Sequence, residues 1–159
     1  MMMPEPREEH RWLQRMLGNW TMEGACEMGP DTPSEKTTGT ERVRSLGDLW
    51  VIGEGRGEMP GGGEAQSLIT LGFDPVKGRF VGSFISSAMG YMWIYEGSLA
   101  GNVLTLDCEG PDFANPGKTC SYQDIMELVS DDHRILTSRM KGPDGEWRQV
   151  MQAQYRRGG

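Results

Sequence analysis

Two periodicities divide the chain. Over residues 5–17 the apolar residues Leu13, Met16 and Leu17 recur at three- and four-residue spacing, the repeat of one helix face. Pro6 suits a first turn, where its missing N–H is no loss, and Gly18 follows Leu17 directly as a stop. The spacing predicts a short helix over 6–17, preceded by a disordered start at 1–5. After Gly18 the repeat becomes two. Trp20, Met22, Gly24 and Cys26 alternate with Thr21, Glu23, Ala25 and Glu27, which is an antiparallel strand with one dry face and one wet face.

Nine further strand-like runs follow that first one at 20–27: 36–46, 49–59, 64–73, 79–87, 91–99, 102–109, 119–129, 134–141 and 147–157. Turn chemistry separates them, at Ser45-Leu46-Gly47-Asp48, Met59-Pro60-Gly61-Gly62-Gly63, Asp74-Pro75-Val76-Lys77-Gly78, Ala100-Gly101-Asn102, Ser130-Asp131-Asp132 and Gly142-Pro143-Asp144-Gly145. Proline stays out of the strand interiors, so no central strand lacks a needed donor. Short connections make the strands an antiparallel meander. A ten-stranded meander has two exposed edges unless it curls and closes, and glycines within the strands allow sharp bends. The expected fold is all-β: a closed barrel of about ten strands with a short N-terminal helix, one domain over 1–159.

Composition narrows the function classes. Sixteen Lys and Arg against 23 Asp and Glu give a net charge of −7, which argues against a nucleic-acid partner. No apolar run approaches a membrane-spanning length of about 20 residues. The start, MMMPEPREE, has neither the basic nor the apolar part of an export signal. Cys26, Cys108 and Cys120 are odd in number and lack C-x-x-C spacing, so they are expected reduced in a cytoplasmic protein. Asn19-Trp20-Thr21 has the form of a glycosylation site, but Trp20 falls on the dry face.

Gly18-Asn19-Trp20, after a short helix and opening the first strand, resembles the G-x-W start of lipocalin-like (calycin) barrels. The resemblance implies that Trp20 closes one end of the barrel beside an Arg of the last strand. Arg157 is the matching candidate, and alternation puts it on one face with Trp147, Met151, Ala153 and Tyr155. Over nearly its full length the chain is also similar to a bacterial family called domain of unknown function 1579, grouped with the calycins. The matching stretches are Trp12-Leu13 with Leu17-Gly18-Asn19-Trp20, Leu46-Gly47-Asp48-Leu49-Trp50-Val51 and Leu71-Gly72-Phe73-Asp74-Pro75. Tyr95-Glu96-Gly97, Pro143-Asp144-Gly145-Glu146 and Tyr155-Arg156-Arg157 complete them. This resemblance implies a fold and carries no reaction with it.

Specific chemistries leave few traces. Gly53-Glu54-Gly55-Arg56-Gly57 lacks the following helix that a phosphate cradle needs. Nitrobindin-like barrels share a G-x-W start and bind heme through histidine, but the last strand here has none; His10 and His133 lie elsewhere. No zinc spacing exists, and Asp107, Glu109 and Asp112 lack the ordered ligand spacing of a calcium loop. No bound metal or cofactor is expected. No G-x-S-x-G elbow is present, so a catalytic role would fall to an interior carboxylate, Glu41, Glu54 or Asp124, or to an interior Arg.

The methionines give the one positive pointer. Twelve occur, and Met22, Met92, Met126, Met140 and Met151 interleave in strands with Trp93, Tyr95, Tyr122, Trp147 and Tyr155. Thioethers beside aromatic rings make an adaptable lining for an apolar guest, although a filled barrel would also use them. The expected function is binding of a small apolar or amphipathic molecule by Trp93, Tyr95, Tyr122, Met126 and Met151, with Arg139 as an anchor for a carboxylate if it faces inward. The alternatives are an enzyme built in the same lumen, and a filled barrel that pairs with a second copy or a partner through Trp50 or Trp12.

Overall fold

The computed structural model describes residues 3–27, 32–59 and 61–158. One helix, α1 (Glu8–Gln14), precedes β1 (Gly18–Cys26), β2 (Glu35–Leu46), β3 (Trp50–Glu58), β4 (Glu64–Asp74) and β5 (Arg79–Ser86). Then come β6 (Met89–Ala100), β7 (Val103–Pro111), β8 (Thr119–Ser130), β9 (His133–Lys141) and β10 (Trp147–Arg157). Each strand pairs antiparallel with its neighbours in sequence, and β1 pairs with β10 from Trp20↔Arg157 to Cys26↔Met151, so the sheet closes. The expected all-β barrel of ten strands with a short leading helix is the observed fold. Closure pairs each strand on both sides, although the β6–β7 ladder covers only Glu96↔Asp107 to Ala100↔Val103.

The wall is bent tightly in places. A Cβ added at Gly82 or Gly97 would run into the backbone carbonyl of Thr70 or Thr105 on the next strand, so only glycine lets the strands approach so closely there. The ladder slips by one residue between Gln149 and Met151 where β10 meets β9. That bulge reverses part of a strand face. Met151, Ala153 and Tyr155 point inward, but Trp147 pairs with Lys141 on the outer face, contrary to the simple alternation.

The helix is shorter than the sequence suggests, ending in a turn at Arg15 and Met16. Residues 3–7 have no regular structure, and the first part of the expected disordered start, like Pro60 of the glycine-rich turn, lies outside the described residues. Packing, more than propensity, holds so short a helix. Leu13 is fully buried, and Trp12 meets Phe80 edge-on with 6.4 Å between ring centroids. His10 is also buried: its Nδ1 accepts the Arg7 N–H at 2.9 Å and its Nε2 lies 3.0 Å from the Phe73 carbonyl. Trp12, at 8% exposure, is therefore core and not a docking anchor, whereas Trp50 keeps 40% of its surface. Among the described residues no helix is long and apolar enough to cross a membrane.

Candidate ligand-binding lumen

The barrel has a sealed end and an open end. At the sealed end lie α1 and the turns after β2, β4, β6 and β8. Trp20 fills this end at 1% exposure, and its Nε1 donates to the Met16 carbonyl at 2.9 Å. The Arg157 guanidinium lies 4.3 Å from the Trp20 ring centroid and donates to the carbonyls of Leu17 and Arg15, capping the end of the helical segment. Trp20 and Arg157 thus meet at this end of the barrel.

Above this floor the interior is packed. Val43, Val51, Leu71, Phe80, Leu104, Leu106 and Leu128 are all buried, and the void beside Met16, Glu41 and Val43 is only about 10 Å³. A pair of charges sits in this layer. Arg134 of β9, 3% exposed, is ion-paired with Glu41 of β2. Its guanidinium lies 4.0 Å from the Tyr155 ring centroid and 4.8 Å from that of Trp20. Two aromatic faces and a carboxylate together compensate a buried guanidinium.

Toward the mouth Cys108 and Tyr122 stay buried, while other inward side chains become partly accessible. Met22, Cys26, Phe84, Trp93, Ser138, Met140 and Met151 all face the interior yet retain solvent contact. One wall is small-sided, with Gly39, Gly55, Gly57, Ala65 and Ser67 on β2, β3 and β4. The opposite wall is bulky. Trp93 meets Tyr122 edge-on at 4.9 Å and Tyr91 at 5.2 Å, and a Cβ at Gly110 would collide with the Trp93 ring. The polar tips of these rings are satisfied at the rim: Tyr91 Oη donates to Glu109 O at 2.8 Å, Tyr122 Oη to Pro111 O at 2.5 Å, and Trp93 Nε1 to Met89 Sδ at 3.2 Å. Their apolar parts are left to line the lumen.

One polar cluster interrupts that lining. Asp124 of β8 accepts hydrogen bonds from Tyr95 Oη at 2.5 Å and Ser138 Oγ at 2.6 Å, one on each carboxylate oxygen. Burial pushes the Asp124 carboxyl above its usual range, and the two hydroxyl donors offset only part of that rise. Burial and the neighbouring carboxylate likewise push the Tyr95 phenol far up. Burial pushes the Cys108 thiol up to about 12.

The residues singled out in the sequence divide accordingly. Trp93, Tyr95, Tyr122, Met126 and Met151 point into the barrel; Met126 and Tyr95 lie in its packed part, and the others nearer the mouth. Arg139 does not join them. It lies on the outer face, where it binds Gln123 Oε1 and covers the Trp147 ring at 4.9 Å, so it cannot anchor an interior carboxylate. The interior guanidinium is Arg134, which sequence reasoning missed, although its alternation with Leu136 and Met140 carried the signal. Of the three acids, Glu41 and Asp124 are interior, and Glu54 is an exposed partner of Arg44 at 3.1 Å. Asp112 of the acidic loop accepts the Ala114 N–H and the Asn115 side-chain amide, so it braces its own turn. Two open depressions are lined mainly by outward-facing residues, one of about 830 Å³ beside Thr40, Arg42, Glu54 and Arg56 and one of about 500 Å³ beside Glu96, Asp107, Lys141 and Trp147; the second also reaches Tyr91, Cys108 and Tyr122, beyond the last β6–β7 pair at Glu96↔Asp107.

Solved structures share this architecture at low identity, which shows a common fold alone. The protein Rv2717c from M. tuberculosis is 12% identical with a TM-score of 0.64, over 98% of this chain and 100% of that one. The S-type phycobiliprotein lyase CPES from Guillardia theta is 11% identical with a TM-score of 0.58, over 97% and 99%. A redesigned β-barrel, mFAP0, bound to DFHBI, is 11% identical with a TM-score of 0.52, over 91% and 100%. None of the curated proteins compared with the chain matches it. Residues 5–157, nearly the whole chain, match one family, and the protein belongs to it: the family described as protein of unknown function (DUF1579).

Proposed function

We propose that this calycin-like barrel binds a small apolar or amphipathic molecule in the mouth-ward half of its lumen. The observation that carries the reading is the gradient along the barrel axis. Side chains of one inward-facing set are packed solid near Trp20 and become solvent-accessible at Met22, Trp93, Met140 and Met151. Apolar side chains left partly accessible on the inner face of a barrel favour a guest over a purely structural role. Similar barrels include one bound to DFHBI, which supports the capacity of the architecture without specifying a ligand. As part of the same reading we place the protein in the bacterial cytoplasm, where its three unbridged cysteines would stay reduced.

The test uses a neutral apolar fluorophore, phenylnaphthylamine, whose emission rises in a dry site. The blocking variant is Gly57→Phe, because a Cβ at Gly57 meets nothing nearer than the Thr38 carbonyl at 3.4 Å and points toward Met22. Saturable enhancement with the wild type, lost in a Gly57→Phe protein of unchanged thermal midpoint, is expected. No enhancement with the wild type, or equal enhancement in both, would overturn the reading. Native mass spectrometry of freshly purified protein adds a second readout, an adduct of small-molecule mass.

A further inference from the structure

The interior charges do not balance. Arg134 is committed to Glu41, and Arg157 to carbonyls of the helical segment. Among the described residues no Lys, Arg or His forms an ion pair with Asp124, whose recorded side-chain partners are the neutral hydroxyls of Tyr95 and Ser138. Removing a carboxylate from water without a counter-charge is costly, and packed barrels use apolar residues in such positions. A leucine at 124 would continue the pattern of Met126 and Leu128. The acid instead stands level with the partly accessible Ser138 and Met151, and it keeps some solvent contact itself.

Its geometry is that of an acceptor awaiting a donor. Tyr95 and Ser138 each occupy one lone pair of a different oxygen, which fixes the carboxylate plane and leaves further lone pairs on both. Trp93, Tyr122 and Met140 share the inward face on the mouth side of Asp124 and Met151 lies level with it, and ring faces and thioethers accept a cation's apolar body as well as its charge. Glu35, on the same face of β2 as Glu41, reinforces the sign at the rim, where its charge raises the Cys26 thiol along with burial. An anionic guest would meet Asp124 and Glu35, and among the described residues the one cation on the inward face near the mouth, Arg148 opposite Met140, is held by Asp144.

We propose that Asp124, oriented by Tyr95 and Ser138, is the polar anchor of the lumen and takes the protonated nitrogen of an amphipathic amine whose apolar part lies toward the mouth. This inference rests on the lumen being the binding site and specifies its ligand class. Binding is a charge-assisted hydrogen bond with no covalent step. Affinity for such an amine falls as pH is lowered through the Asp124 carboxyl, in a site whose other ionisable neighbours are Tyr95, Cys108, Tyr155 and the Glu41–Arg134 pair.

The test compares two probes that differ only in the terminal group, naphthylethylamine and naphthylethanol, by titration calorimetry near neutral pH. The amine is expected to bind the wild type at least about tenfold more tightly than the alcohol, the discrimination of one charge-assisted contact. Asp124→Asn abolishes the preference, and a thermal midpoint no lower than that of the wild type shows that the variant keeps its fold. Equal binding of the two probes by the wild type, or a preference that survives in Asp124→Asn, sinks the anchor and leaves the lumen reading intact. Failure of both probes to bind the wild type, or unchanged binding of both to Gly57→Phe, removes the lumen and the anchor together.

Discussion

Arg134 reaches Glu41 through the barrel interior, from β9 to β2, with two strands of the wall between them. The pair is buried, and the Arg134 Nε has no hydrogen-bond partner of its own, so the Glu41 carboxylate and the rings of Tyr155 and Trp20 carry the compensation. Arg134→Ala or Glu41→Gln should each destabilise the fold by about 3 to 5 kcal/mol, because each strands a buried polar group. The double variant Arg134→Met with Glu41→Leu should cost less than either single change. Removing the exposed Glu54 partner of Arg44 should cost under about 1 kcal/mol. Chemical denaturation of the four proteins checks the order.

Trp20 should be the most expensive aromatic to truncate. Trp20→Ala removes the floor from between two guanidinium groups and the lost indole leaves a cavity, for a cost of about 3 to 5 kcal/mol. Trp20→Phe keeps most of the volume but leaves the Met16 carbonyl without its donor, for about 1 to 3 kcal/mol. A loss below about 1 kcal/mol in Trp20→Ala would contradict the packing described here.

Asp124 should weaken the fold as pH rises. Its folded-state carboxyl titrates above the unfolded reference of about 3.9, so below that pH both states are protonated and burial carries no charge. Between the two values the unfolded chain gives up its proton first, and stability falls until the folded-state group has also ionised. Asp124→Asn should therefore match the wild type in acid and exceed it at neutral pH, by about 1 to 3 kcal/mol for a desolvated polar group without a cation. Thermal midpoints of both proteins across this range test the sign; a wild type that gains on the variant with rising pH would refute it. A residue kept against stability is the signature of a working site.

Cys108 should be the least reactive thiol. It is buried, donates to the Tyr122 carbonyl at 3.9 Å, and holds its proton up to about pH 12. Iodoacetamide at mildly alkaline pH should label it at least about a hundredfold more slowly than in the unfolded chain, through its small thiolate fraction. Cys26 and Cys120 lie nearer the mouth and should react sooner, although burial raises both. Peptide mapping after timed quenching resolves the three.

The alternation of residues along the chain was enough to draw this barrel. Ten runs of period two, broken by Gly, Pro and Asp turns, match the ten observed strands to within two residues at every end, because each strand's dry face and each turn's backbone are local requirements. Closure followed from the same pattern, since an open meander would leave two edges unpaired. Parity also placed Trp93, Tyr95, Tyr122, Met126 and Met151 on inward faces. It failed at Trp147, where one slipped residue before Met151 turned the ring outward. Which of two arginines on β9 is interior was legible from Leu136 and Met140, but its partner was not. Glu41 and Arg134 are 93 residues apart and meet only because the sheet rolls up. The same holds for Tyr95, Asp124 and Ser138, and for the boundary between packed and accessible lumen. Alternation fixes the side of the wall, and only closure fixes what lies across it.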